Sequence, residues 1–509
     1  TAPIQRAQRA AATSMRHSIL SRGACVEPKG ARHRGGAAAA LTKRRCPSRL
    51  ASVLFWTVER VMRVHVVGVG SIGTLIAAHM HAVLRHGARR GAGAALPRHF
   101  PDPRTTGLTL HLRDRRFART PQRGLPGGSV TVERDGMRMT ESGFTVELAS
   151  AASSSGTRVL QSDASGALHD APGSTGGAAM VPEHEGDAPS GPAIDSLVVA
   201  TKADKTLGAL SRLAGRLTPS STLVLLQNGM GVLDLLFEQL FREPATRPNI
   251  ILANATHGCY TKRPLHTVHA GFGSIHFGIV PSARGGTRGY ERLVPGTAQL
   301  DPGAIPDLPS TRTLRATVAL LLSLPLDVHW ERIREYQLRA LRKLIINACI
   351  NPTTALADCK NGELFGSAPA SELFRTLCTE AAQVLEAHAR EAKAGQDVGE
   401  ADAARLSSLP LEDLLTQTDA AGLPLLDASL RPASVLHEVE NVVQATAANW
   451  SSMHQDLRTR RGGSEIEFIN GYLVELGRAY GIPTPANEVM TNLVRLKSQR
   501  MTGTWGGGM

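Results

Sequence analysis

Aromatic residues are scarce in this chain: Phe, Trp and Tyr together make up 4% of 509 residues. Little ring surface is therefore present to stack on bases, and a nucleic-acid partner is not expected. No run approaches the ~20 consecutive apolar residues of a membrane span, so the composition describes a soluble globular protein with no membrane partner. Cysteine is also sparse. Cys25, Cys46, Cys259, Cys349, Cys359 and Cys378 show neither C-x-x-C spacing nor a paired framework, which excludes a disulfide scaffold, fits a reducing compartment and gives no metal site. Acid is almost missing from the first 50 residues, where eleven Lys or Arg face Glu27 alone. Most of the formal net charge of +13 is thus local to that stretch, and a basic face on the folded part is not required.

Residues 1–61 are Arg- and Ala-rich and alternate short apolar groups with single arginines, as mitochondrial transit peptides do. A basic disordered tail in a cytoplasmic protein is the alternative, with Met15 and Met62 as candidate starts. Order is expected from Met62. Arg63 to Ala78 read R-V-H-V-V-G-V-G-S-I-G-T-L-I-A-A: a β-branched run, a glycine-rich turn and then helical spacing of apolar residues. Gly68 allows the turn, Gly70 lets backbone N–H groups approach a pyrophosphate, and Gly73 lets the helix pack on the strand. Ser71 and Ile72 open the helix, whose N-terminus favours an anion. The second strand, Thr106 to Arg113, ends in a cation where an NAD site commonly carries an acid, with Arg115 and Arg116 just beyond. NADPH is therefore preferred over NADH, with Arg113 beside the 2′-phosphate.

Further along, Ser129–Glu133 and Phe144–Leu148 alternate like a hairpin turning at Asp135-Gly136. Three polar insertions, near 89–104, 150–191 and 281–309, are expected to be disordered. The strand Ile194–Val199 leads to Lys202, and the strand Thr222–Leu226 leads to Asn228. In open α/β sheets ligands sit beyond the carboxyl ends of strands, so both side chains should face the crevice that Gly70 opens. A helix over 204–217 separates these strands, and strands near 250–254, 273–277 and 326–329 with a helix over 311–322 complete the first domain, 62–332.

The second domain, 333–509, should be helical. One long helix spans 331–356 despite Pro352, and it carries Lys343, Asn347 and Asn351 at i, i+4 and i+8, on one face of otherwise apolar surface. Buried polar groups need partners, and a ligand cleft is one way to supply them. Helices follow over 371–393 and 435–446, then a polar turn over 449–456 and a capped helix from Ser464 that stops at Gly481. Glu465 lies in that helix's first turn, where a carboxylate also suits the dipole.

The motifs G-V-G-S-I-G at 68–73, A-T-K at 200–202, Q-N-G-M-G at 227–231, K-L-I-I-N-A-C-I-N-P-T-T-A-L at 343–356, S-S-M-H-Q-D at 451–456 and S-E-I-E-F-I-N-G at 464–471, in this order, resemble the ketopantoate reductase family in a fungal-type form. The resemblance implies an α/β fold: a Rossmann-like N-terminal domain followed by an all-α C-terminal domain like that of 6-phosphogluconate dehydrogenase. It implies NADPH and ketopantoate in the cleft between them, with pantoate as product on the route to pantothenate and coenzyme A. Lys343 would then be the general acid, and Glu465 would hydrogen-bond the developing hydroxyl. Asn347, Asn351 and Ser452 would orient the substrate, with Lys202 and Asn228 along the cofactor. A homodimer is compatible with this reading. A reductase of another 2-keto acid, and a non-catalytic mitochondrial binding or assembly protein on the same fold, stay open as alternatives.

Overall fold

The computed structural model describes residues 62–89, 99–113, 128–149, 157–171, 191–282, 290–394, 415–418, 424–459 and 464–502. The basic stretch 1–61 lies outside them, as do Arg115, Arg116 and the segments 90–98, 150–156, 172–190 and 283–289 within the three insertions.

Strand β1 (Met62–Val67) buries Val64 and Val66 on one side and His65 and Val67 on the other, as a central parallel strand must. After the glycine turn comes α1 (Ser71–Arg89), and β2 (Thr106–Arg113) then pairs parallel to β1, with Val67 opposite His111. The chain next leaves this sheet for a hairpin, β3 (Val130–Arg134) and β4 (Met137–Glu141). Asp135 and Gly136 both have positive φ, 50° and 77°. Such a two-residue turn requires the partner strand to start at once, at Met137. The run from Phe144 to Leu148, expected as that partner, instead supplies β5 (Thr145–Ala149), which returns parallel to β2.

The expected disorder of 150–191 fails over 157–171. There β6 (Thr157–Ser162) and β7 (Leu168–Asp170) extend the sheet antiparallel. Edge strands need only one apolar face, and buried Leu160 supplies it within a polar sequence. Strand β8 (Ile194–Val199) pairs with the other side of β1. Helix α2 (Ala203–Leu210) is shorter than expected, because the next strand, β9 (Leu217–Leu226), already begins before Pro219. Helix α3 (Val232–Gln239) and the strands β10 (Asn249–Ala255), β11 (Gly258–Arg263), β12 (His266–Gly271) and β13 (Ile275–Ile279) follow. The insertion near 281–309 is ordered over 290–309, where Leu300 and Ile305 are buried in the core. Helix α4 (Arg312–Leu322) and β14 (Val328–Trp330) end this half.

The main sheet has the order β14-β13-β10-β9-β8-β1-β2-β5-β6-β7, and a smaller one the order β11-β12-β3-β4. Strands β2, β1, β8, β9 and β10 run parallel, so their carboxyl ends share one edge. That edge is where a Rossmann-type sheet binds its ligand.

Helix α5 (Ile333–Ala357) belongs to both halves: Ile333, Tyr336 and Ala340 pack with the sheet, and Leu341, Leu344, Ile345, Ile346 and Ile350 lie in the helical core. Pro352 within it has no N–H for the Ala348 carbonyl. Asn470 takes over that bond, its Nδ2 donating to Ala348 O at 3.1 Å and to Asn487 Oδ1 at 3.0 Å. Helix α6 (Ala368–Ala394) packs beside α5. A short hairpin, β15 (Leu415–Thr418) and β16 (Pro424–Leu426), interrupts the helical half, which is therefore not purely α. After α7 (Pro432–Ala445), the expected polar turn near 449–456 is α8 (Ser452–Arg458). Ser451 caps it by accepting from His454 N at 3.1 Å, and Met453 and Leu457 give it a buried face. A 3-10 turn, Glu465–Phe468, breaks at Ile469 before α9 (Asn470–Tyr480), so Glu465 is not on the continuous helix expected there. Gly481 ends α9 at φ 68°, and α10 (Pro485–Thr502) closes the chain. Among the described residues, no helix is long and apolar enough to cross a membrane.

Candidate active site

The nucleotide end of the cleft starts from β1. Gly68 sits at φ +88°, and a Cβ there would lie 2.3 Å from Thr201 N; a Cβ on Gly73 would lie 2.3 Å from Gly68 O. Both glycines are thus required by the protein's own backbone. Gly70 differs: its φ is not positive, and a Cβ would meet no protein atom nearer than Gly68 O at 4.0 Å. The space in front of it is open, as a pyrophosphate approaching the loop needs. The N–H groups of Ser71, Ile72 and Gly73 precede the first intrahelical bond, Thr74 N to Gly70 O at 2.9 Å, and the first turn of α1 carries no acid. Arg113 is exposed at the end of β2, two residues beyond the Val67–His111 pair. These residues fit a dinucleotide.

The loops after β8 and β9 are bound to the helical half. Gln227 Nε2 donates to Thr201 O at 3.0 Å and also to Thr206 Oγ1, fastening the two loops together. Met230 N donates to Phe468 O at 2.8 Å. Gly229, at φ +84°, lies so near Phe468 that a Cβ would be 2.6 Å from that carbonyl. Lys202 forms an ion pair with Asp456 of α8. Asn228 Nδ2 lies 3.4 Å from Glu465 Oε2, and the Ala203 N–H, at the start of α2, also bonds the Glu465 carboxylate.

Lys343 enters from α5, at the level where that helix passes from the sheet to the helical core. Its Nζ donates to Asn254 Oδ1 and, at 2.9 Å, to the carbonyl of Ala255, both at the carboxyl end of β10. Burial lowers the pKa of this amine to about 8, against an opposing pull from the charge of Glu465. Glu465 is displaced the other way, to about 7: burial and the charge of Asp456 raise it, while Lys202, Asn228 and Ala203 N–H hold it down. An amine that still carries its proton at neutral pH and a carboxyl close to its own titration therefore share one cleft. Both are poised for proton transfer.

Asn347, half-buried, and Asn351, buried, continue the face of α5 away from Lys343. Ser451 Oγ reaches Asn351 O at 3.5 Å and accepts from Thr354 Oγ1 at 2.7 Å, so the start of α8 lies against this stretch of α5. Ser452 is exposed in the first turn of α8, and Asp456 lies one turn further along the same face. The structure thus brings Lys343, Glu465, Asn228 and Lys202 together around the ends of β8, β9 and β10. Asn347, Asn351 and Ser452 flank them, while Arg113 stays with the glycine loop.

Two further residues join the site in the structure: Asp456, which lies within S-S-M-H-Q-D, and Asn254, which lies outside the motifs. The rule that singled out Lys202 and Asn228, a polar residue at the carboxyl end of a parallel strand, applies equally to Asn254.

A dinucleotide-dependent oxidoreductase with a separate helical substrate domain is the class of protein that this arrangement defines. Two family models match the chain: "Ketopantoate reductase PanE/ApbA" over residues 137–282, and "Ketopantoate reductase PanE/ApbA C terminal" over 335–498. The chain belongs to the ketopantoate reductase family. It is 29% identical over 304 residues to a probable 2-dehydropantoate 2-reductase of Schizosaccharomyces pombe, a match covering 59% of this chain and 73% of that protein. It is 26% identical over 312 residues to the 2-dehydropantoate 2-reductase of Saccharomyces cerevisiae, covering 60% and 74%. Among solved structures it resembles D-mandelate dehydrogenase with NADH and anilino(oxo)acetate, with a TM-score of 0.52 and 15% identity over 86% of this chain and 99% of that one. At that identity the likeness concerns the fold.

Proposed function

We propose that this chain reduces 2-dehydropantoate (ketopantoate) to pantoate with NADPH, a step toward pantothenate and coenzyme A. The observation that carries the reading is the half-buried Lys343 ammonium, held at the end of β10 beside Glu465 in a cleft whose other end is the glycine loop. NADPH, when bound, supplies the hydride. Lys343 polarises the C2 carbonyl and gives its proton to the oxygen as negative charge develops there. Glu465 hydrogen-bonds the emerging hydroxyl, and Asn347, Asn351 and Ser452 orient the substrate. The first turn of α1 holds the pyrophosphate and Arg113 the 2′-phosphate, which supports NADPH over NADH. Lys202 and Asn228 brace the crevice against α8 and the Glu465 turn.

The test is NADPH oxidation with ketopantoate and a panel of other 2-keto acids, for the native chain and Lys343→Ala. Turnover of ketopantoate that falls by ~10²- to 10⁴-fold in the variant supports the reading. Preferential turnover of another keto acid assigns a different substrate, and tight NADPH binding with no turnover of any acid favours a non-catalytic role. The Arg- and Ala-rich stretch 1–61 supports a mitochondrial address, and fusing it to a fluorescent protein and following where the fusion accumulates tests that.

A further inference from the structure

The contact between β10 and α5 changes character along its length. Ile250, Leu252 and Asn254 share one face of β10, and Ile333, Tyr336, Ala340 and Lys343 follow one stripe of α5. The first members of both rows, Ile250 and Leu252 with Ile333, Tyr336 and Ala340, pack in one apolar cluster. At the crevice the next member of each row is polar, and the two meet: Asn254, 8% exposed, accepts from Lys343 Nζ.

We propose that Asn254 is a positioning residue for the proton-donating amine: its Oδ1 and the Ala255 carbonyl hold two N–H bonds of Lys343 and aim the third at the substrate oxygen. This rests on the proposed reductase function, because only a general acid needs its third N–H so directed. An ammonium has three donors and no acceptor. The backbone carbonyl alone would leave it free to swing, whereas two fixed acceptors on one rigid strand end define its direction. The amide is also the right chemical choice. It stabilises the charged amine without adding a negative charge, so the proton stays transferable; an aspartate in its place would pair with the ammonium and hold the proton back. An apolar residue would leave a half-buried ammonium short of one acceptor.

The charged and titratable groups around this amine are few. Glu465 acts on it directly, with the Lys202–Asp456 pair behind. One turn earlier on α5, Arg339 is tied to Glu331 and through it to His276, the register partner of Asn254. Arg342 is directed to Glu438 of α7, and Lys497 of α10 caps the far end of α5. Of these groups and Lys343, the Asn254 side chain hydrogen-bonds Lys343.

The test reads the amine itself, without turnover. The full chain is labelled with a lysine-acylating reagent over a pH series, and the Lys343 peptide is quantified by mass spectrometry, for the native protein, Asn254→Leu, Asn254→Asp and Asn254→Thr. Loss of the acceptor in Asn254→Leu should move the labelling inflection down by about one unit, and Asn254→Asp should move it up by at least as much. Asn254→Thr, which keeps an acceptor oxygen, should recover most of the native value. In ketopantoate turnover, Asn254→Leu should lose about tenfold in kcat with the KM for NADPH unchanged. An inflection within about 0.3 unit of native in both Asn254→Leu and Asn254→Asp, with circular dichroism showing both folded, overturns the proposal. Absence of ketopantoate turnover in the native chain would overturn the function and with it this role for Asn254, whereas unchanged inflections in an active native chain overturn the role of Asn254 alone.

Discussion

The repair of α5 at Pro352 can be measured as a coupling energy. Pro352 leaves the Ala348 carbonyl without its i+4 donor inside a buried helix, and Asn470, itself fully buried, donates at 3.1 Å in its place. Asn470→Ala removes that donor and orphans a buried carbonyl, at a cost of about 1–3 kcal/mol. It also deprives Asn487 Oδ1 of its 3.0 Å bond, although Asn487 keeps Glu380 through its own N–H groups at 2.8 and 3.0 Å. The total is about 2–4 kcal/mol, a large share of the 5–15 kcal/mol that holds most domains together. Pro352→Ala restores an N–H at the position that bonds Ala348, so in that background the carbonyl no longer depends on Asn470. The cost of Asn470→Ala should then fall by about 1–2 kcal/mol, appearing as a coupling energy in a double-mutant cycle. Urea unfolding of the four proteins, compared at constant m, provides the measurement. Strict additivity within about 0.3 kcal/mol would refute the idea that the asparagine stands in for the missing N–H.

In the proposed mechanism ketopantoate reduction requires protonated Lys343, so with its pKa lowered to about 8 kcat/KM should hold toward neutrality and fall about tenfold per pH unit above 8. Lys343→Arg, whose guanidinium stays charged, should be slower but should lack that limb; a limb unchanged in the arginine variant would exclude Lys343 as its source. His65 and His111 are kept neutral mainly by burial, at about 3 and about 4 in the fold. Their folded pKa values lie below the unfolded 6.5, so they contribute stability above pH 6.5 that disappears as pH falls toward 4, on the order of 3 kcal/mol for His111. His111→Asn should accordingly unfold at lower pH than the native chain, as followed by circular dichroism. Gly70→Ala places a Cβ with no protein atom nearer than 4.0 Å and should leave the melting temperature nearly unchanged while weakening NADPH binding in titration calorimetry; unimpaired binding would place the cofactor elsewhere. Arg113→Ala should weaken NADPH about tenfold and leave NADH unaffected, and equal losses for both would remove Arg113 from the 2′-phosphate site.

Several elements could be read locally because their signals are local. Val64 to Gly73 spell strand, turn and helix within a few residues of one another, and Gly481 marks a helix end by the left-handed backbone that it alone adopts cheaply. The stripe of Lys343, Asn347 and Asn351 follows from helical periodicity, and Pro352 does not break it because a distant asparagine closes the gap. Structure departs from the local signal where pairing is not local. Residues 157–171 are polar and short of apolar alternation, and they became strands because β5 offered an open edge. Asn449 to Asp456 reads as a polar turn, yet Ser452–Arg458 is helical because Met453 and Leu457 pack into the helical core.

By itself the sequence determined most of the elements, the glycine turn after β1 and the identities of most polar residues in the cleft, because these depend on backbone preferences and spacing along a few turns. Tertiary structure alone decided which of them meet. Lys343 reaches Asn254 across 89 residues of chain, and Glu465 reaches Asn228 across 237. It also decided the chemistry of the pair, since removal from water is what pushes the amine down to about 8 and the carboxyl up to about 7. Burial belongs to the packed molecule, and no stretch of sequence carries it alone.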